Sequence, residues 1–152
     1  MEETKDLADC IPKELVEEIR KNGKEQEAQH VYRVAKHGII NDEAFMGSYE
    51  EALSEGRSFN KDLTDIGSYS TSCYLTTKCP EKFLKLLKAR HFDKYPQPKI
   101  IQGYTICGLS QLTKERNPNS EEDHIDWWIY KGCFDKLTQV FTYYELCEKG
   151  GS

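Results

Sequence analysis

Hydrophobic and polar residues change their period several times along this chain, and each change marks an element. Ile11, Leu15, Val16 and Ile19 form one helical stripe, with Glu14, Glu17, Glu18 and Arg20 on the opposite face. Pro12 suits a first helical position and Gly23 a stop, so a helix is predicted between them. His30 to Lys36 alternates instead: Val31, Arg33 and Ala35 share one face, Tyr32 and Val34 the other, as on a strand. Asn41 or Asp42 can cap a second helix carrying Phe45, Tyr49, Ala52 and Leu53, ended by Gly56. Residues 57–67 have no period and are expected to be irregular. A strand is predicted over 68–76. Thr77 and Pro80 announce a third helix with Phe83, Leu84, Leu86 and Leu87 on its apolar side.

The segment Tyr95-Pro-Gln-Pro-Lys99 breaks the pattern, and Ile100 to Cys107 follows as a strand. A long polar loop is expected over 108–123, ending in the acidic run Glu121-Glu122-Asp123. Two late strands are predicted near Ile125–Lys131 and Thr138–Leu146. Helices early and strands late favour an α+β fold, with a mostly antiparallel, twisted sheet and about three helices. Residues 1–149 fit a single domain, with 1–10 frayed and 150–152 a flexible tail.

Composition narrows the function classes. Of 152 residues, 31% are charged and 11% aromatic, and the net charge is -5. The aromatics can build a core, and the negative charge makes general nucleic-acid binding unlikely. No apolar run reaches the roughly 18–20 residues that span a bilayer, and the acidic N-terminus is no signal peptide, so a cytoplasmic location is expected. The six cysteines contain no CxxC pair, and the acidic run lacks calcium-loop spacing, so no metal is expected. Cys73 and Cys107 are the candidates for a nucleophilic thiol, with a buried structural thiol as the default.

Two constellations could carry chemistry. Arg33, next to Tyr32, sits among apolar neighbours and must reach water or find an anion, because an unpaired buried charge is costly. Ser70, Thr71 and Ser72 can offer hydroxyl and backbone groups to a ribose or phosphate, and Glu145 can bond a sugar hydroxyl. The second constellation is His124, Asp126, Trp128 and Tyr130, on one face of a strand. His124 and Asp126 could form an acid–base pair, and His124 with Trp128 could bind a base or nicotinamide by stacking. Both sets also fit ordinary structure: a snorkelling Arg, a Ser/Thr-rich strand and a surface Glu in the first, the wet end of a core strand in the second.

The order Arg33, then Ser70-Thr71-Ser72, then Glu145 resembles the pattern of the ADP-ribosyltransferase superfamily. Tyr32-Arg33-Val34 with a downstream Phe is similar to the opening of its RES-type toxins. The resemblance implies an NAD-binding cleft in which Arg33 holds phosphate and Ser70 and Ser72 brace the ribose. Glu145 would stabilise the positive charge that develops as the nicotinamide bond breaks. Tyr143-Tyr144-Glu145 stands where many members have Gln-x-Glu or Glu-x-Glu, and Gly56-Arg57-Ser58-Phe59-Asn60 only faintly echoes the RES signature. The resemblance therefore implies ADP-ribosyl transfer or NAD hydrolysis, and predicts that Arg33, Ser70, Ser72 and Glu145 line one cleft. The alternatives are a non-catalytic protein-interaction module of a bacterial or phage-related complex, with aromatic strands as its contact surface, and a small nucleotide-handling enzyme using His124 and Asp126.

Overall fold

A computed structural model of the chain describes residues 5–25 and 28–145. Four helices and a six-stranded sheet form an α+β domain. The elements run α1 (Lys13–Asn22), β1 (His30–Ala35), a 3-10 turn (Asp42–Phe45), α2 (Ser48–Glu55), a second 3-10 turn (Ile66–Tyr69), β2 (Thr71–Tyr74) and α3 (Lys78–Arg90). They continue with β3 (Lys99–Tyr104), β4 (Gly108–Leu112), a third 3-10 turn (Thr113–Glu115), β5 (His124–Ile129), α4 (Phe134–Val140) and β6 (Thr142–Tyr143). The strand order is β4-β5-β2-β1-β3-β6, and every pairing is antiparallel. No helix among the described residues is long and apolar enough to cross a membrane.

The predicted alternation on β1 decides how the sheet is covered. Val31 and Ala35 face the main core, beside Cys73 of β2, Ile101 of β3 and Trp127 of β5, with Phe45 and Phe141 packed over them. Val34 faces the other side, where Leu84 and Leu87 of α3 cover it together with Ile100 and Tyr95. Helix α1 buries Ile19 against the β4–β5 end of the sheet.

Several expectations need correction. Residues 108–112 are not loop but strand β4, because they pair with β5 at five positions; Lys24 and Ser110 exchange backbone hydrogen bonds on the other edge, and Arg116 donates to the Gln111 side chain. The late strand expected from Thr138 is mostly α4. Cys133, Leu137 and Phe141 recur every four residues and all point inward, so only Thr142–Tyr143 extend. The strand expected over 68–76 is confined to 71–74: Asp65 caps a 3-10 turn by accepting the Gly67 N–H. The second helix is broken at Gly47, whose backbone sits where a Cβ would lie 2.6 Å from the Tyr69 carbonyl oxygen. Residues 5–10 are not frayed. Leu7 is buried in the main core, and the Asp6 carbonyl accepts the Lys131 N–H at 2.7 Å. The expected tail, 150–152, lies outside the described residues, as do the first four of the ten expected to be frayed.

Candidate functional site: a basic cleft at a one-pair strand joint

Arg33 occupies the weakest joint of the sheet. β1 pairs with β3 along six facing residues, whereas its ladder with β2 is the single pair Tyr32 and Tyr74. The Arg33 side chain bridges this joint: Nε donates to the Ala44 carbonyl at 2.8 Å and Nη1 donates to the Ser72 carbonyl. A guanidinium carries five N–H donors, so these two bonds leave the others available. No carboxylate pairs with Arg33 among the described residues. Burial accordingly pulls its pKa down from the usual arginine range, with nearby Cys73 and Glu51 opposing.

Arg33 is one of the residues lining a cleft of about 490 Å³, within the range of small-molecule sites. Lys36, Arg57 and Lys61 line it as well, and Glu51 is the lone acidic residue of that lining. Glu51 binds Lys36 at 2.7 Å and Arg57 at 2.9 Å, and Glu55 also holds Arg57, so two of the cations are fixed at the rim. Arg33 and Lys61 carry no ion pair among the described residues. Ser72, Tyr74, Phe59 and Phe83 complete the wall, giving it hydroxyl groups and three aromatic rings. A chain of net charge -5 thus concentrates positive charge in one concavity, where field focusing favours an anionic ligand.

Of the residues singled out from the sequence, Arg33 and Ser72 meet in this cleft. Ser70 and Thr71 do not: Ser70 Oγ donates to Asp126 at 2.6 Å, and Thr71 Oγ to the Phe45 carbonyl at 2.6 Å. Tyr32 packs on the α3 side, edge-on to Tyr144 at 5.3 Å. Trp128 is buried, with its indole N–H given to the Ile66 carbonyl at 3.0 Å, so its face is not open for stacking. Glu145 is exposed just after β6, and β3 lies between that strand and β1. It does not line the cleft. The Cys73 thiol is pushed up to about 12 by burial, so it stays protonated at neutral pH.

No family model, curated protein or solved structure matches the chain. The site therefore stands on its geometry.

His124 and Asp126 belong to a separate, buried network. Asp126 accepts from Ser70, from Thr113 Oγ at 3.0 Å and from Arg116 at 2.8 Å. Thr113 Oγ also lies 2.5 Å from His124 Nδ1. A hydroxyl has one proton to give; if it goes to the Asp126 carboxylate, His124 must carry its own proton on Nδ1. Burial lowers the His124 pKa, and Asp126 opposes this. No cluster of three or more His, Cys, Asp or Glu suited to a metal ion occurs among the described residues. Sequence reasoning took Arg57 and Phe59 only as part of a faint family echo and Phe83 as a helix residue, and placed none of them, nor Lys61, in a site. The Arg-Ser-Phe-Asn-Lys string at 57–61 mixes cations with an aromatic, which was the available signal.

Proposed function

We propose that this chain binds a phosphorylated, ring-bearing ligand of the NAD class in the Arg33 cleft. One observation carries the reading: Arg33, whose buried guanidinium has no carboxylate partner among the described residues and has donors to spare, lines a basic cleft with aromatic walls. A diphosphate would supply the missing negative charge through charge-assisted hydrogen bonds, and the rings of Phe59, Phe83 and Tyr74 would meet its planar groups. The placement of Arg33 and Ser72 supports an ADP-ribosyltransferase-like site. Glu145 lies outside the cleft, so the reading is one of binding first, with ADP-ribosyl transfer or NAD hydrolysis as the chemistry to test.

The test is thermal unfolding with NAD at low ionic strength. Millimolar NAD is expected to raise the melting temperature by mass action. Lys61→Glu, at an exposed cleft position, is expected to reduce that rise without altering the unliganded melting temperature. No rise at millimolar NAD would remove the NAD reading. A rise matched by sodium sulfate at equal ionic strength would reduce the cleft to an anion seat. Release of nicotinamide during incubation would add turnover to binding.

A further inference from the structure

A second cavity, of about 350 Å³, opens beside the first but has the opposite electrical character. The two flank one segment of chain: Met46, Ser48 and Glu51 line the basic cleft, while Phe45, Gly47 and Glu50 line the second pocket. The strand β2 divides in the same way, with Ser72 in the cleft and Thr71, leaving the opposite face, in the pocket. Tyr69, Phe134 and Leu53 give the pocket aromatic and aliphatic walls.

The pocket's charges are not balanced within it. Lys131 is the one basic residue of the lining, and its Nζ is taken by Asp9 at 2.8 Å. Glu50 has no ion pair among the described residues. The Gly47 N–H at the start of α2 offsets part of its burial, but desolvation dominates and raises its pKa. Glu50 in turn adds to the burial that pushes the Cys10 thiol up to about 11. A half-buried carboxylate beside aromatic rings is the arrangement that stabilises an organic cation, which gains an ion pair at one end and ring contact along its stem.

We propose that this pocket binds a small organic cation, an ammonium group on an apolar or aromatic stem, with Glu50 as its counter-ion. The site is independent of the basic cleft and of any activity assigned to it. It discriminates by charge: an anion of the same shape meets Glu50 and Asp9, and a neutral molecule leaves the Glu50 carboxylate without a counter-charge.

Three probes of one shape test this: 2-phenylethylammonium, 2-phenylethanol and phenylacetate, each at millimolar concentration with the full chain. The ammonium is expected to raise the melting temperature, the alcohol less and phenylacetate not at all. Glu50→Gln is expected to erase the advantage of the ammonium over the alcohol. If that variant does not fold, the unaltered protein still decides the matter. Alkylation of Cys10 by iodoacetamide, followed by peptide mapping with Cys79 as internal reference, should slow about tenfold when the ammonium is ten times above its dissociation constant. Equal shifts from ammonium and alcohol, an ammonium shift that survives Glu50→Gln, or Cys10 alkylation unchanged by the ammonium would each overturn the proposal.

Discussion

Asp126 is only 2% exposed, and its carboxylate takes hydrogen bonds from three side chains: Ser70 ahead of β2, and Thr113 and Arg116 at the two ends of the third 3-10 turn. Removing one partner of a buried ion pair costs about 3–5 kcal/mol, because the other charge is left uncompensated. Asp126→Ala is therefore expected to lose stability on that scale in urea unfolding, far more than removal of the exposed partner in the Lys131–Asp9 pair. The neighbouring His124 makes the same network sensitive to acid. Its folded pKa is lowered, chiefly by burial, while Asp126 pulls the other way and Lys61 and Arg116 add to the lowering. The unfolded chain thus binds more protons than the folded one between the depressed folded pKa and about 6.5, and stability rises with pH in that window. The His124 contribution is complete above about 6.5 and is lost as pH falls through the folded pKa. Urea unfolding at pH 7.5 and pH 5.5 should show a smaller acid loss for His124→Gln than for the unaltered chain. An equal loss in both would mean that other groups carry the acid sensitivity.

Among the elements, those written in a single period were legible and those held by long-range contacts were not. α1 and β1 follow from the spacing of Leu15, Val16 and Ile19 and from the alternation at 30–35. α4 was missed because Thr138, Val140, Phe141 and Thr142 have strand-favouring side chains, while the four-residue spacing of Cys133, Leu137 and Phe141 outweighs them once the core is available. Phe141 explains what that core offers. Its ring lies on Gly103 of β3, where a Cβ would come within 2.4 Å of it, and stacks on Trp127 at 5.8 Å. Gly103 therefore lets α4 and β6 close onto the sheet. Gly103→Ala is expected to cost about 1–3 kcal/mol through overpacking. Combined with Phe141→Leu, it should cost clearly less than the two single changes added together, since the smaller side chain removes the clash. Additive losses in chemical denaturation would mean that Gly103 is needed for some other reason.

At the scale of the whole molecule, the sheet is two halves, β4-β5-β2 and β1-β3-β6, meeting at one facing pair. This arrangement also marks where the sequence stopped informing the site. Arg33 announced itself as a cation among apolar neighbours, but its partners, the carbonyls of Ala44 and Ser72, depend on which strand lies beside β1. Grouping Ser70 and Glu145 with Arg33 required the same unknown: Ser70 turns to Asp126, and Glu145 ends up beyond β3. A guanidinium that donates across the joint does there what ladder hydrogen bonds do elsewhere in the sheet. Arg33→Met keeps much of the volume and removes both bonds, each worth about 1.5–3 kcal/mol when the donor is charged. Native-state hydrogen exchange should then show amides of β1 and β2 around Tyr32 and Tyr74 losing at least about tenfold in protection, a local opening cost of about 1.4 kcal/mol. Amides of the β4–β5 ladder, from Leu109 to Trp128, should change much less, because that pairing runs through five facing residues without help from Arg33. If every sheet amide shifted by the same factor, Arg33 would be acting through global stability, and the joint would not be the point at which the two halves part. If the joint does open selectively, the basic cleft built against it opens as well, and in the unaltered chain a ligand that bridges Arg33 and Lys61 should raise protection at β1 and β2 before it affects any other strand.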